Sequence, residues 1–570
     1  MSSSSCLPTP TVSSSRYVLS AASQLAVPTP TSFVQRNGTR LELDGKEFRV
    51  TGPNVYWLGL DENVDPSPSY PSKSRVLEAM AIASAMGATT IRSTSLGVSF
   101  GNALSVENAL RTFKSNGSAA WDAIDFAVYA ARSYGMRLVL PLTDQYDYYH
   151  GGIPTFLRWR NLSSSDYSPF YDLSSDVYQD FRQYVTNLLT HISPYTNLTL
   201  ATDPTILAFE TGNELGGWTG HDYAPPVKWT IAISQYLKEL APQTLVISGT
   251  YGVKTNELGI ETVDIHSNHF YPPYKSNLAS SASLAHSHSK AFLAGEYDWT
   301  NHYYATYRWT YFVLLLPAVL AVAVWLMPKR WWPWSTTLRD LGTCGCFCRT
   351  RRRRKRQRPN DDGYDRMAGE EATALTSYPN QKSSNPLAGS AFPSSSPILS
   401  SPSPTPPHRP RPLLIDRPIL IRRWHFSLFL LLLALPIFGI IYSYLPTPIS
   451  TFLSALTSDT TSSAPFAVGD LYWSLFGKDD SCCAYVQHND GYTLHYPSDP
   501  SSSASSAAQG SGHAVAMLTR HAWQVRGVQP YWAASGLDVS KLTLEDLPVV
   551  ACPQEGLPLA NGTVVGGLHL

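Results

Sequence analysis

Cysteine is scarce in this chain, with only 7 cysteines among 570 residues. A small secreted domain held together by disulfides needs a much higher density, so a disulfide scaffold is not expected. The chain also has no net charge, because 43 Lys and Arg balance 43 Asp and Glu. A uniformly basic nucleic-acid-binding protein is therefore not expected either.

Two long apolar runs, at residues 309–327 and 426–445, contain no charged residue. Each is close to the ~20 residues that a helix needs to cross the hydrocarbon core of a bilayer. A buried core helix of this length would show a polar stripe, and both runs lack one. We therefore predict two transmembrane helices, with two hydrophobic core helices as the alternative.

The segment between the two runs, residues 328–425, carries 18 Lys and Arg against 7 Asp and Glu. Basic flanks remain on the cytosolic side of a membrane, so this loop is predicted to be cytosolic and to contact membrane lipids. Its Pro-, Ser- and Arg-rich composition predicts disorder. Both outer lobes then lie outside the cell or in the lumen of the secretory pathway. The Asn-X-Ser/Thr sequons agree with this, since all fall in the outer lobes: Asn37, Asn116, Asn161, Asn197 and Asn561.

Residues 1–32 are rich in Ser, Thr and Pro and are predicted to be disordered. They contain only a weak apolar patch, so either a weak secretory signal is used or the reading frame is incomplete at this end. Three cysteines, Cys344, Cys346 and Cys348, adjoin the first apolar run, where lipidation, zinc binding and free thiols all stay open. The sequence also leaves open whether Cys482 or Cys483 forms a disulfide with Cys552.

Between residues 33 and 308, short β-branched runs alternate with amphipathic stretches, a pattern typical of βα units around a parallel sheet. Seven strands are predicted, at 48–57, 89–94, 138–143, 206–211, 245–249, 263–270 and 291–296. An eighth is predicted at 470–475, beyond the second apolar run. We therefore predict an α/β fold, a (β/α)8 TIM barrel that two transmembrane helices and a cytosolic loop interrupt after strand seven. Residues 446–527 would complete the barrel, and 528–570 would form a tail. The alternative is a complete N-terminal domain followed by an unrelated C-terminal one.

Reactive groups of such barrels lie at the carboxyl ends of the strands. Strand four ends at Glu210-Thr211-Gly212-Asn213-Glu214, and strand seven ends at Ala294-Gly295-Glu296. Two carboxylates facing each other across the barrel mouth could supply the ~5 Å spacing of a retaining glycoside hydrolase. Four further strand-end residues are expected on the same rim: Arg92 to keep a nucleophile ionised, Asn213 to bind a sugar hydroxyl, His269, and Trp473 as a platform for a pyranose ring.

These residues, together with Asn37-Gly38, Leu43-Asp44-Gly45-Lys46, Gly52-Pro53-Asn54-Val55-Tyr56-Trp57, His269-Phe270-Tyr271 and Tyr472-Trp473-Ser474-Leu475-Phe476, resemble glycoside hydrolase family five. The similarity is greatest to its fungal endo-β-1,4-mannanase-like members, over residues 33–299 and 448–497. The resemblance implies double displacement with Glu214 as acid/base and Glu296 as nucleophile. It also implies supporting roles for Arg92, Asn213, His269, Tyr271 and Trp473. After strand three those members tend to present an Asn and a Trp, whereas this chain has Thr143-Asp144-Gln145-Tyr146, with Tyr146 as a candidate sugar contact.

The sequence therefore predicts a membrane-anchored hydrolase of β-1,4-mannan or a related wall polysaccharide. A β-glucan hydrolase or wall-remodelling transglycosylase is the alternative within enzymes, and an inactive carbohydrate-binding sensor is the alternative outside them. No metal or organic cofactor is expected, because two carboxylates suffice for this chemistry. The expected partners are polysaccharide and membrane lipid and not nucleic acid, and the oligomeric state stays open.

Overall fold

The computed structural model describes residues 18–19, 28–217, 224–300, 448–458, 467–480, 484–497, 506–533 and 536–551, with isolated positions between 316 and 326, between 425 and 432, and after 552. The chain forms two compact units, one made of Met1–Val313 with Gly439–Leu570 and the other of Leu314–Phe438. The barrel belongs to the first unit. Of the second unit, only short helical stretches are described.

Several predictions fall outside the described residues: the loop 328–425 with its cysteines, most of 309–327 and 426–445, and Cys482, Cys483, Cys552 and Asn561. Among the helices that are described, none combines the length and the apolarity needed to span a membrane. The two transmembrane helices therefore stay predictions.

Eight parallel strands form the main sheet. They are β1 (Val50–Pro53), β2 (Thr90–Arg92), β3 (Arg137–Pro141), β4 (Ile206–Glu210), β5 (Leu245–Ser248), β6 (Ile265–Phe270), β7 (Ala291–Tyr297) and β8 (Gly469–Tyr472). Their order is β1-β8-β7-β6-β5-β4-β3-β2. Hydrogen bonds from Thr89 N to Thr51 O (2.8 Å) and from Val55 N to Arg92 O (2.9 Å) bring β1 and β2 together. This is the arrangement of a (β/α)8 barrel.

The eighth strand comes from the far side of the interruption, as predicted. Gly469 pairs with both Leu293 of β7 and Val50 of β1, so β8 occupies the gap between the first and seventh strands. Without it, both neighbours would expose an unpaired edge. The alternative of a complete N-terminal domain followed by an unrelated C-terminal one does not fit this pairing.

The helices follow the strands in the expected alternation. They are α1 (Lys73–Ala85), α2 (Ala119–Ser133), α3 (Asp176–Thr190), α4 (Val227–Leu240), α5 (Lys275–His286), α6 (Ile449–Ser458) and α7 (Ser506–Arg526), with shorter helices at Thr94–Gly97, Ile153–Trp159 and Ser168–Tyr171. Serine caps begin two of them, because the Ser72 and Ser175 side chains accept hydrogen bonds from the backbone of Arg75 and Tyr178. After β5 there is only the 3-10 turn Thr255–Glu257.

Small accessory sheets account for the strand boundaries that the sequence pattern missed. Strands Gln35–Asn37, Arg40–Leu43 and Lys46–Phe48 form an antiparallel sheet ahead of the barrel, so β1 is shorter than the predicted 48–57. Other short pairs are Glu107–Ala109 with Thr112–Phe113, Leu475–Phe476 with Leu494–His495, Val18–Leu19 with Val549–Val550, and Leu557–Pro558 with Val564–Val565. Two further 3-10 turns lie at Val539–Lys541 and Leu544–Asp546.

Glu107, in the accessory hairpin after β2, provides a test of how burial couples to pH. Its side chain is fully buried, and only Oε1 has a hydrogen-bond partner among the described residues, the backbone N–H of Arg111 at 2.7 Å. Burial, with a smaller contribution from the charge of Asp180, raises its pKa to about 8. A carboxyl whose pKa is raised on folding destabilises the fold as pH rises from its unfolded pKa to its folded one.

Glu107→Gln is therefore expected to stabilise the protein increasingly between about pH 5 and about pH 8, at roughly 1 kcal/mol per pH unit. The measurement is the free energy of unfolding in denaturant at both ends of that interval. Glu47→Gln, at an exposed position, serves as the matched control for the loss of one carboxylate. A constant difference between Glu107→Gln and wild type across the interval would show that Glu107 is ionised in the folded protein.

Candidate active site

The two predicted carboxylates meet at the carboxyl-terminal mouth of the barrel. Glu214 follows β4, and Glu296 lies near the end of β7. A carboxylate oxygen of Glu214, a ring nitrogen of His269 and a carboxylate oxygen of Glu296 all lie within 4.8 Å of one another. A register shift between β6 and β7 pairs Asn268 with Ala294 but His269 with Glu296. Such irregularities re-aim side chains, and here the shift places the imidazole next to both carboxylates.

Arg92 is the centre of the charge network beneath these carboxylates. It is only 1% exposed, and it donates from Nη1 to Glu296 Oε1 (2.6 Å) and from Nε to Glu210 Oε2 (2.7 Å). It also donates to the side-chain oxygens of Asn54 (3.1 Å) and Asn213 (2.8 Å). Burial lowers the pKa of Arg92, but the charges of Glu210 and Glu296 outweigh this effect and raise that pKa above its ordinary value. The guanidinium therefore stays charged and favours the ionised form of Glu296.

His269 and Tyr271, both at the end of β6, contact the carboxylates directly. His269 Nδ1 lies 2.7 Å from Glu214 Oε1 and 3.5 Å from Glu296 Oε2. Tyr271 donates its hydroxyl to Glu296 Oε2 at 3.0 Å. Each carboxylate is thus held by at least two donors, because Tyr146 donates to Glu214 Oε2 at 2.8 Å.

Charge sharing among these groups sets the resting protonation state. Burial lowers the pKa of His269, but the charges of Glu296 and Glu214 and the hydrogen bond to Glu214 outweigh it and raise that pKa overall. Burial alone would raise the pKa of Glu214, but hydrogen bonds and charge from His269 and the hydroxyl of Tyr146 hold it below its ordinary value. Burial raises the pKa of Glu296, against the opposing charges of His269 and Arg92. These shifts in pKa favour the protonated form of His269 and the ionised form of Glu214.

Trp473 forms a separate part of the mouth, at the end of β8. Its indole stacks on Tyr56, with ring centroids 5.2 Å apart and planes 9° from parallel, and donates from Nε1 to Asp490 Oδ2 at 2.6 Å. The backbone N–H of Tyr492 donates to the same aspartate, and the Tyr492 ring packs edge-on against Tyr271. The Asp490–Tyr492 segment thus connects Trp473 to the side chains around Glu296.

Seven of the eight predicted site residues lie in one hydrogen-bonded cluster: Arg92, Asn213, Glu214, Tyr146, His269, Tyr271 and Glu296. Trp473 lies beside it. The sequence reasoning missed Asn54, Glu210, Asp144 and Asp490. Glu210 and Asn54 were in quoted motifs, so their strand-end positions could have indicated them, whereas Asp490 lies in a loop with no recognisable pattern.

The pair of carboxylates with one histidine is also a possible donor set for a divalent metal. A dication there would lie next to the Arg92 guanidinium, which already binds Glu296, and would compete with the hydroxyl donors of Tyr146 and Tyr271. The charge arrangement thus suits proton transfer and nucleophilic attack better than metal binding.

Comparisons with known proteins give a family match over the first part of the barrel. Residues 31–272 match the family model described as GH family 5 beta-mannosidase-like. This part of the chain is similar to mannanase-like members of glycoside hydrolase family 5. The matched residues include Glu214 and the end of β6, whereas Glu296 and Trp473 lie beyond them.

Among curated proteins, the chain is similar to Mannan endo-1,4-beta-mannosidase 2 of Oryza sativa subsp. japonica, 32% identical over 42% of this chain and 52% of the relative. It is also similar to Mannan endo-1,4-beta-mannosidase 2 of Arabidopsis thaliana, 31% identical over 39% of this chain and 49% of the relative. The chain thus spans about half the length of the curated relatives it matches. These relatives are plant proteins, so the resemblance to fungal members in particular stays a prediction.

Two solved structures give matches with low overall superposition. The endo-1,4-beta-mannanase from Rhizomucor miehei is 20% identical and covers 48% of this chain and 86% of its own, with a TM-score of 0.41. The endo-1,4-beta-D-mannanase from Thermotoga petrophila RKU-1 is 16% identical and covers 83% of this chain and 99% of its own, with a TM-score of 0.43. The fold assignment above depends on strand order and register alone.

Proposed function

We propose that this protein is a membrane-anchored retaining glycoside hydrolase that cleaves β-1,4-mannan or a related cell-wall polysaccharide. The observation that carries the proposal is the Glu214–Glu296 pair, in which one carboxylate oxygen of each residue lies within 4.8 Å of the other. Retaining enzymes hold their two carboxyl groups ~5 Å apart, whereas inverting enzymes leave room for a water between them. The names of the plant relatives support mannan as the substrate.

In the first step, Glu296 attacks the anomeric carbon and forms a glycosyl ester. The bond from that carbon to the leaving oxygen breaks, and Glu214 transfers a proton to this oxygen. Until Glu296 attacks, its negative charge is stabilised by hydrogen bonds from Arg92 at 2.6 Å and from Tyr271 at 3.0 Å. In the second step, Glu214 removes a proton from water, the water oxygen bonds to the anomeric carbon, and the ester bond to Glu296 breaks.

The resting proton has to move before this cycle begins. The raised pKa of His269 and the lowered pKa of Glu214 favour the proton on His269, whose Nδ1 is 2.7 Å from Glu214, so one short transfer makes Glu214 the acid. Bound substrate favours this transfer for two reasons. Its glycosidic oxygen is an acceptor for the Glu214 proton, and the substrate excludes water from the Glu214 carboxylate. His269 is therefore the proton reservoir of Glu214, and activity is lost as pH rises and the His269–Glu214 pair gives up this proton.

The direct test is incubation of full-length protein with β-mannan and, separately, with β-glucan, followed by reducing-end measurement and proton NMR of the first product. Mannan cleavage with retained β-configuration supports the proposal. Cleavage of glucan alone would assign the substrate to the alternative polymer. Transfer products without net hydrolysis would indicate a transglycosylase, and binding without turnover would indicate the carbohydrate sensor.

We also propose that residues 309–327 and 426–445 span the plasma membrane or a membrane of the secretory pathway, with residues 328–425 in the cytosol. The proposal is supported by the uncharged runs and the 18 basic residues between them. The barrel would then be extracellular or lumenal. A barrel tethered in this way acts on wall polymer near the cell surface.

This topology predicts N-glycosylation of the barrel. All four sequon asparagines in the described part of the chain are exposed: Asn37, Asn116, Asn161 and Asn197. Protein from a eukaryotic secretory host should lose apparent mass on treatment with an endoglycosidase that removes N-glycans, and Asn→Gln at these positions should remove that shift. A sequon engineered into residues 328–425 is the control and should stay unmodified. Membrane-extracted protein without any endoglycosidase shift would contradict a lumenal barrel.

A further inference from the structure

The loop after β3 contacts the Asn213–Glu214 turn through three consecutive residues. Asp144 accepts hydrogen bonds from the Asn213 amide nitrogen, at 3.4 Å and 3.3 Å to its two oxygens. Gln145 donates its backbone N–H to Asn213 O (3.0 Å) and accepts from Gly216 N through its side chain (2.9 Å). Tyr146 donates its hydroxyl to Glu214 Oε2 (2.8 Å).

The turn that these residues hold has an unfavourable backbone conformation. Glu214 has φ of 49°, in the left-handed region that side chains other than glycine avoid. Surrounding structure has to maintain such a conformation. Tyr146 can help to maintain the Glu214 conformation because it is itself held in place. Its backbone N–H donates to the buried Asp144 carboxylate at 2.9 Å.

We propose that Tyr146 is a positioning residue whose hydroxyl sets the acid strength of Glu214. The inference rests on the proposed hydrolase function and adds a residue to it. Both Glu214 oxygens have a donor, with His269 on Oε1 and Tyr146 on Oε2. The two donors differ, because His269 can give up its proton to Glu214, whereas the phenol keeps its proton and remains a donor to the anion.

A permanent hydrogen-bond donor has two opposing effects on Glu214 as the acid. It stabilises the Glu214 anion that forms when the proton leaves for the glycosidic oxygen, so it makes Glu214 a stronger acid. It also reduces the fraction of Glu214 that is protonated at a given pH, which lowers the pH at which activity is lost. Among the described residues, the titratable and charged groups that face Glu214 come from four elements: Arg92 of β2, Tyr146 and Tyr148 of the β3 loop, His269 and Tyr271 of β6, and Glu296 of β7.

The test compares kcat/KM for a mannan oligosaccharide against pH in full-length wild type, Tyr146→Phe and Tyr146→Trp. Both variants lack the hydroxyl, and the tryptophan keeps a large ring. In both, the alkaline limb is expected to move up by about one pH unit, with a fall in kcat near the acidic plateau and KM within about threefold of wild type. Tyr531→Phe is the control, since this tyrosine is 40% exposed and its ring packs against Trp523 of α7, and its limb should not move.

An alkaline limb that stays in place in Tyr146→Phe overturns the proposal. So does a rise in KM with kcat and the limb unchanged, because that result would make Tyr146 only a sugar contact. A second measurement needs no turnover: carbon NMR of ¹³C-carboxyl-labelled glutamate, with the Glu214 signal assigned by its loss in Glu214→Gln. The titration midpoint of this signal should rise in Tyr146→Phe. If wild type is inert on every polymer, the proposed function fails, but this titration still decides the role of Tyr146.

Discussion

Glu296→Gln is expected to reduce mannan hydrolysis by at least about 10⁴-fold, since loss of a nucleophile removes the covalent route altogether. The amide is nearly isosteric with the carboxylate, so the substrate cleft should keep its shape. It cannot form the glycosyl ester, and it replaces an anion that Arg92 binds at 2.6 Å. The measurement is the initial rate of reducing-end release by full-length protein, together with binding of a mannan oligosaccharide by calorimetry.

Glu257→Gln provides the matched control for Glu296→Gln. This carboxyl is also buried, but it lies after β5, where it accepts hydrogen bonds from hydroxyls of Thr230, Ser248 and Thr250. It should retain activity close to wild type. Equal loss in both variants would mean that any neutralised buried carboxyl disrupts the barrel. Full activity in Glu296→Gln would exclude this residue as the nucleophile.

Arg92→Met is expected to destabilise the fold by about 3–5 kcal/mol and to abolish measurable hydrolysis. The substitution keeps much of the side-chain volume but removes the only cation that contacts both Glu210 and Glu296 in the described part of the chain. These two carboxylates are 2% and 6% exposed, so both would be left with uncompensated buried charge or would take up protons. Denaturant unfolding of full-length protein measures the loss of stability.

The unfolding experiment also has a matched control. Arg158 pairs with Asp147 in an ion pair whose two side chains are each 48% exposed. Solvent screens such pairs, so Arg158→Met should change the free energy of unfolding by at most about 1 kcal/mol. The loss of stability in Arg92→Met should also shrink at low pH, where Glu296, whose pKa burial raises, becomes protonated. A small and pH-independent effect would show that Arg92 contributes packing and little charge compensation.

The proximity of Glu214 and Glu296 was predictable from the sequence because a parallel barrel brings the carboxyl ends of all its strands to one mouth. Once Glu214 was assigned to the end of β4 and Glu296 to the end of β7, their proximity followed from topology. Arg92, His269 and Tyr271 were predictable by the same reasoning. The interrupted barrel was predictable too, since seven strands leave an edge that only a later segment can cover.

The partners of these residues were not predictable in the same way. The residues that precede Glu210 in β4 are apolar, so its sequence context is that of a buried strand. Only closure of the barrel shows that Glu210 shares Arg92 with Glu296. The contact of Trp473 with Tyr56 and Asp490 depends on how β8 lies beside β1, which no local pattern encodes. Tyr146 was predicted to contact sugar, and the structure instead places its hydroxyl on Glu214.

The amino-acid sequence alone determined the kind of fold, the strand that completes it and the residue types at the barrel mouth, because hydrophobic periodicity and strand-end positions are local properties. Only the tertiary structure decided which donor binds which carboxylate oxygen, and therefore in which direction the pKa of each group shifts. Hydrogen bonds and charge interactions in a buried site change steeply over a few tenths of an ångström. Those distances depend on register and side-chain packing across the whole barrel.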